Sequence, residues 1–328
     1  MPKFQENVLL SKYSNYKIGG HARFFFIAKN ERDIVWAVAE AKSKKLPIFI
    51  LGGGTNILMC DDGWNGLVLK PDIDILKMKG GIFGSKTILA GAGVLMSDIL
   101  DFAASKSLAG LEWAGGLLGT VGGAVRGNAG CFGGEMKDSI VSVRSFDVKA
   151  MAIRERSARD CEFDYRDSVF KKKNGAEIIL SVELRLAKGD KKGILETMRK
   201  NIAYRVSHHP LEHPNAGSIF KNVPLSAFHE KESVKYRKAV ADAALAFRGS
   251  RFSVKTEPFP VISAAKLISE TGLSGVALGG AMISPKHPNF IVNVFGAEAC
   301  DVKNLITLAK AEVRRKFGIT LEEEVEVV

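Results

Sequence analysis

The sequence predicts an α+β protein of two to three domains, and three observations carry that expectation. A chain of 328 residues, 46% hydrophobic and 25% charged, has enough apolar content for more than one core without disulfide or metal. Residues 21–70 read as strand, helix, strand. Residues 111–136, LEWAGGLLGTVGGAVRGNAGCFGGEM, are dense in glycine and lack proline. Ordered glycine costs backbone entropy, so such a run needs a reason. Leu117, Leu118, Val121, Ala124 and Val125 are interleaved with it, which no Gly/Ser linker shows. Main-chain N–H groups open to an anion supply the reason, and a diphosphate is the expected guest.

The elements follow in order. HARFFFIAKN (residues 21–30) is rich in β-forming aromatics. Asn30 is placed to cap a helix over ERDIVWAVAEAKSKK, with Ile34, Val35, Val38 and Ala41 on one face, acids in its first turn and lysines in its last. Pro47 ends it, and IFIL reads as a short buried strand. Gly52, Gly53 and Gly54 come next, then the turn CDDGWNG and the strand LVLK. A nicotinamide-dinucleotide fold places a helix straight after its glycines. Gly52-x-Gly54-x-x-Ile57 lacks the third glycine and a strand follows it, so Asp74 is not read as a ribose-binding acid.

TILAGAGV begins a second segment as a strand, and MSDILDFAASKS reads as an amphipathic helix on Ile99, Phe102 and Ala103. After the glycines come the strands IVSVRSFDV, MAIRERS and EIILSVELRL. In the last, Ile179, Ser181, Glu183 and Arg185 alternate with Ile178, Leu180, Val182 and Leu184. A basic helix, LETMRKNIAYRVSHH, leads to a third segment holding HPNAGSIFKN, the helix AAKLISE stopped by Thr271 and Gly272, and the strand-like NFIVNVF. A final helix is expected to be capped by Asp301, to bury Val302, Leu305, Ile306, Ala309 and Val313, and to stop at Gly318. The tail LEEEVEVV alternates like an edge strand.

The net charge of +11 favours anionic partners. The lysine clusters at 42–45, 171–173 and 191–192 are not interleaved with aromatics, as a nucleic-acid strand would require, and a nucleotide substrate accounts for the charge. Cys60, Cys131, Cys161 and Cys300 are widely spaced, which fits reduced thiols in the cytoplasm. No signal-like or membrane-spanning apolar run is seen. His208, His209 and His213 match no zinc spacing, so no metal is expected.

In order along the chain, NYKIGGHA, LGGGTNIL, GLLGTVGGAVRGNAGCFGGEM, DYRDSVFK, NAGSIFKN, AAKLISETGLSG, GGAMISPKHPNFIVN and LEEEV together resemble the UDP-N-acetylenolpyruvoylglucosamine reductases, in their shorter second type. The resemblance implies a two-subdomain FAD-binding fold of the vanillyl-alcohol-oxidase (PCMH-type) group plus a third α/β substrate-binding domain. The implied boundaries are 1–71 for the first FAD subdomain (the strand 318–328 returning to it), 72–206 for the second, and 207–317 for the substrate domain. The implied cofactors are FAD and NADPH. The implied partner is a UDP-sugar, with no nucleic acid and no membrane, the chain acting as a monomer.

The resemblance also assigns residues. Gly52, Gly53, Gly54, Thr55, Asn56, Gly115, Gly119, Thr120, Gly122, Gly123, Asn128 and Gly130 would bind the cofactor. Arg166 would hold the substrate carboxylate and stabilise an enolate, its alternative being a surface ion pair with Asp164 or Asp167. Ser218 would donate the proton, its alternative being a turn or cap residue. Glu324 would lie across the enolate carboxylate and donate a hydrogen bond to it. Tyr165, Lys221, Asn222 and His287 would meet the substrate. Ser274 stands where lysine is usual, which implies a phosphate contact that is weaker or supplied elsewhere, for instance by Lys266 or Lys286, and Glu326 stands where arginine is usual. Two other readings stay open: a flavin oxidase of the same fold acting on another alcohol, and a non-catalytic basic nucleotide-binding protein.

Overall fold

A computed structural model describes residues 2–80, 86–173, 175–224, 254–255 and 261–328. The chain divides into two compact units. Unit 1 comprises residues 1–13, 20–55 and 62–207. Unit 2 comprises residues 14–19, 56–61 and 208–328.

Unit 1 holds two sheets. The first orders its strands Gln5–Leu9, His21–Ala28, Trp64–Pro71, Ile48–Ile50. The last three run parallel to one another, while Gln5–Leu9 is antiparallel to its neighbour. The Glu31–Ser43 helix covers this sheet, and Asn30 caps it by accepting the Asp33 N–H at 3.0 Å. Its buried stripe is Ile34, Ala37, Val38 and Ala41, the i, i+3, i+4, i+7 spacing of one face. Val35, expected on that face, is 37% exposed, and Ala37 takes its place.

The second sheet is antiparallel, in the order Ala152–Ser157, Ile140–Asp147, Glu177–Lys188, Lys86–Gly91, Leu76–Lys79. In Glu177–Lys188 the expected alternation holds only from Glu183 onward, because residues 177–182 are all buried. Two cores account for this. Ile178 and Leu180 join the core under the Glu31–Ser43 helix, whereas Ile179, Val182 and Leu184 face the helices of the glycine region. The phase changes at a bulge, where Arg144 pairs Ser181 but Ser145 pairs Ile179.

Unit 2 is built on a single core of Ala264, Leu267, Ile283, Ile291, Val302, Leu305 and Ile306 with Tyr16, Ile18 and Leu58. The last three come from the two short N-terminal stretches that belong to this unit. The Tyr16 hydroxyl donates to the Ile291 carbonyl at 2.7 Å and the Asn293 amide donates to the Tyr16 carbonyl at 3.1 Å. The Ala299–Phe317 helix is capped by Glu298, not Asp301. Asp301 is the third residue of a capping box and its carboxylate accepts the Glu298 N–H. Gly318 ends the helix at φ 71°, the left-handed value that favours glycine. Of the tail, only Glu326–Val327 is a strand, parallel to Ile57–Leu58 within unit 2.

Candidate active site

In unit 1 the two glycine-rich stretches meet. A Cβ on Gly53 would lie 2.7 Å from the Gly119 Cα, and one on Gly119, itself at φ 110°, would lie 2.9 Å from the Thr55 hydroxyl. Only bare main chain allows this approach. Among the described residues, the N–H groups of Gly52, Gly53, Gly54 and Thr55, and those of Gly119 and Thr120 opposite them, make no hydrogen bond. Unpaired N–H groups on two apposed loops are the donors that a diphosphate needs. This cradle is what FAD binding requires of unit 1, and the residues present fit that group.

Other residues assigned to the cofactor do different work. Thr120 caps the short Val121–Arg126 helix, its hydroxyl facing the Gly123 N–H at 3.4 Å. The N–H groups of Val121 and Gly122 donate to the carbonyls of Val94 and Ala92 at 2.8 and 3.0 Å. Gly122 is glycine because a Cβ would press on Ala92 at 2.9 Å. Gly115 is glycine because a Cβ would meet the Met198 carbonyl of the Lys191–His208 helix at 2.8 Å. Asn128 is fully buried, and its side chain is bonded to Glu135, Asp164 and Lys137. Asn56 falls in unit 2, where its amide donates to the Glu324 carbonyl at 3.0 Å.

Arg166, also in unit 1, sits at the tip of a tight turn. Asp164 and Asp167 exchange two main-chain hydrogen bonds of 3.1 Å across its base. Arg166 holds φ 55°, a strained value for a non-glycine residue that persists only where surroundings impose it. They do so here. The guanidinium donates to the Gly130 carbonyl at 2.5 Å and lies 5.1 Å from the Tyr165 ring, while Lys171 donates to the Arg166 carbonyl at 3.1 Å. A Cβ on Gly130 would meet the Gly134 carbonyl at 2.8 Å, so glycine is needed there too.

In unit 2 the chain brings Ser218 beside the tail. The N–H of Glu324 donates to the Ile219 carbonyl at 2.7 Å, and Phe220 bridges to Glu323. Two buried asparagines fix the serine's flanks. Asn215 accepts the Gly217 N–H at 2.9 Å, where Gly217 has φ 78°. Asn289 accepts the Phe220 N–H and donates to the Phe220 carbonyl, at 2.9 and 2.8 Å, and its own carbonyl accepts the Ile219 N–H at 2.8 Å. Between these clamps the Ser218 hydroxyl makes no hydrogen bond among the described residues. A rigid main chain presenting an open hydroxyl is a group held ready for a ligand. Asn215 and Asn289 were not singled out from the sequence, yet each ends a His-Pro-Asn triplet (213–215 and 287–289), a repetition that could have marked them.

The three tail acids separate. Glu322 pairs with Lys221 at 2.5 Å and Glu323 with Lys310 at 2.9 Å, leaving Glu324 as the one bracketed by Ile219 and Asn56. Asn222 accepts the Ala264 N–H at 3.2 Å, at the start of the Ala264–Glu270 helix. His287 stacks edgewise with His209 and Phe290 at 5.5 and 4.8 Å between ring centres. Ser274 is exposed, and Lys266 and Lys286 pair with Glu270 and Glu212.

Residues 209–328 match the family model of the UDP-N-acetylenolpyruvoylglucosamine reductase C-terminal domain, and residues 22–153 match that of an FAD binding domain. The UDP-N-acetylenolpyruvoylglucosamine reductase of Alkaliphilus oremlandii is 34% identical over 99% of this chain and 94% of its own length. That of Listeria monocytogenes serotype 4a is 33% identical over 98% and 94%. The crystal structure of UDP-N-acetylenolpyruvylglucosamine reductase from Thermus caldophilus superposes with a TM-score of 0.74 at 29% identity, covering 99% of both chains. With the glycine cradle of unit 1 and the Ser218–Glu324 juxtaposition of unit 2 carried on a chain this similar from end to end, the protein belongs to the UDP-N-acetylenolpyruvoylglucosamine reductase family.

Proposed function

We propose that this chain reduces the enolpyruvyl group of UDP-N-acetylenolpyruvoylglucosamine to give UDP-N-acetylmuramate, consuming NADPH, a step in making peptidoglycan precursor. The observation that carries the reading is one-third identity to reductases of that name over almost the whole length of both chains. The glycine cradle would hold FAD, which when bound would supply hydride transfer between NADPH and the enolpyruvyl double bond.

The chain's own residues then have defined tasks. The open N–H groups of residues 52–55 and 119–120 hold the diphosphate. Arg166 grips the substrate carboxylate, where a planar, permanently charged fork neutralises the enolate that hydride addition leaves. Ser218 delivers a proton to the carbon that bears this carboxylate, and the clamps on residues 217, 219 and 220 support that role by fixing its main chain. Glu324 faces the same carboxylate. Lys221, Asn222, Tyr165 and His287 bind the rest of the substrate. Unit 1 supplies both FAD subdomains and unit 2 the substrate domain.

The chain is read as a cytoplasmic monomer. Four free thiols support the cytoplasmic part of that reading. An anaerobic titration in two steps tests the function. NADPH is expected to bleach the bound flavin and the UDP-enolpyruvyl sugar to restore its colour. Ser218→Ala should keep the first step and lose most of the second. A flavin that the sugar leaves reduced would end this reading.

A further inference from the structure

We propose that Asn128 is a positioning residue for Arg166 and not a ligand of the cofactor. This rests on the proposed reading of Arg166 as the substrate-carboxylate clamp. Asn128 is 0% exposed, and its φ of 40° is left-handed, a conformation asparagine tolerates better than most residues. Its amide nitrogen donates to the Glu135 carboxylate at 2.9 Å and to the Asp164 carbonyl at 2.9 Å. Its amide oxygen accepts the Lys137 N–H at 3.1 Å, and its main-chain N–H donates to the Val125 carbonyl at 3.1 Å. Both amide protons and the main-chain N–H are therefore spent inside the protein.

Where they are spent matters. Asp164 is the base of the turn whose tip is Arg166. Two residues after Asn128, the Gly130 carbonyl accepts the Arg166 guanidinium. Residues 128 and 130 thus grip one turn at its foot and at its working end. Ser168, just past the turn, adds a third tie by donating to the Arg126 carbonyl at 2.6 Å. Residues 126–130 continue directly from the glycine stretch whose residues 119 and 120 line the cradle. The stretch that receives the cofactor therefore also dictates where the arginine stands. Glu135, 5% exposed and paired with Lys137 at 2.7 Å, holds the Asn128 amide in the orientation that sends its second proton to Asp164.

The test uses the flavin-loaded enzyme and its two half-reactions. Asn128→Gly keeps the left-handed backbone and deletes the amide. We expect it to purify with a full complement of flavin and to be reduced by NADPH at close to the wild-type rate. Reoxidation by the UDP-enolpyruvyl sugar should slow by on the order of tenfold to a hundredfold, the scale of a small misplacement of a reacting group. In an Arg166→Ala background the same change should add less than about a twofold loss, because its effect passes through the arginine. Multiplicative loss in that background, or equal slowing of both half-reactions, overturns the proposal. If Asn128→Gly purifies without flavin, Asn128→Ser takes its place, and loss of flavin from both also overturns it. A wild-type enzyme that the sugar never reoxidises removes the reading of Arg166 itself, before any variant is compared.

Discussion

Glu324 and Ile219 are joined through main-chain atoms alone: the Glu324 N–H reaches the Ile219 carbonyl at 2.7 Å, and the Val325 N–H reaches the same oxygen at 3.2 Å. Replacing the Glu324 side chain leaves that link intact. Glu324→Ala is therefore expected to keep the tail docked on Ile219. Its NADPH half-reaction should be preserved, while reoxidation by the sugar falls by on the order of a hundredfold. Glu324→Gln keeps a hydrogen-bond donor and should retain most of the rate. Stopped-flow absorbance of the flavin measures both steps. A glutamine variant as slow as the alanine one would show that the carboxyl acts in some other way than by donating a hydrogen bond.

Gly53 and Gly123 make opposite predictions from the same alanine substitution. At Gly53 the new methyl would sit 2.7 Å from the Gly119 Cα, against backbone that cannot yield. At Gly123 it would meet only the Thr120 hydroxyl, at 3.5 Å, and it would stand in the Val121–Arg126 helix. Gly53→Ala should lose about 1–3 kcal/mol through overpacking and should purify with little flavin. Gly123→Ala should gain up to about 1 kcal/mol from helix propensity. The ratio of flavin to protein absorbance, read beside a thermal melt, decides both. Full flavin in Gly53→Ala would mean that the two loops need not touch.

Tyr16 probes the core of unit 2. Its ring is fully buried, burial pushes its phenol far above the ordinary tyrosine value, and its hydroxyl satisfies the Ile291 carbonyl. Tyr16→Phe keeps the ring and abandons that carbonyl, so a loss of about 1–3 kcal/mol is expected. Urea unfolding should show it while flavin content stays unchanged. An unchanged midpoint would mean that another donor replaces the hydroxyl.

What the sequence disclosed, and what it concealed, follows from how far apart the interacting residues lie. The Glu31–Ser43 helix was legible from Asn30 and a local apolar period, and the glycine cradle from composition alone. The division of labour among the glycines was not, because Gly115 answers to Met198 and Gly122 to Ala92, contacts that only the folded chain creates. Asn128 reads in sequence like part of a cofactor loop, yet its amide is committed to Asp164, thirty-six positions on. Asp301 passed for a helix cap because Glu298 three residues earlier completes the same box. The strand Glu177–Lys188 alternates in the sequence, but a bulge and two cores bury its first half on both faces.

That strand begins at Glu177, whose side chain is only 1% exposed. The carboxylate accepts two hydrogen bonds from Arg156, at 2.8 and 2.5 Å, one from Lys173 at 3.1 Å and one from Ser145 at 3.0 Å. The Arg156 bond is the foremost cause that lowers its pKa from 4.5 to about 2, against the opposing pull of burial. The folded protein thus releases this proton more readily than the unfolded chain does. The resulting stability is complete above the unfolded value of 4.5 and drains away as pH falls from there toward about 2. Glu177→Gln has no such proton to lose, and near neutrality it strands Arg156 beside a neutral amide. It should be about 3–5 kcal/mol less stable than wild type there, the usual result of breaking a buried pair from one side. The gap should then narrow as the pH is lowered through the range below 4.5, since only the wild type loses this contribution. Urea midpoints of both proteins across that range measure it, and a gap that stays constant would show that Glu177 does not hold its charge in the way this geometry requires.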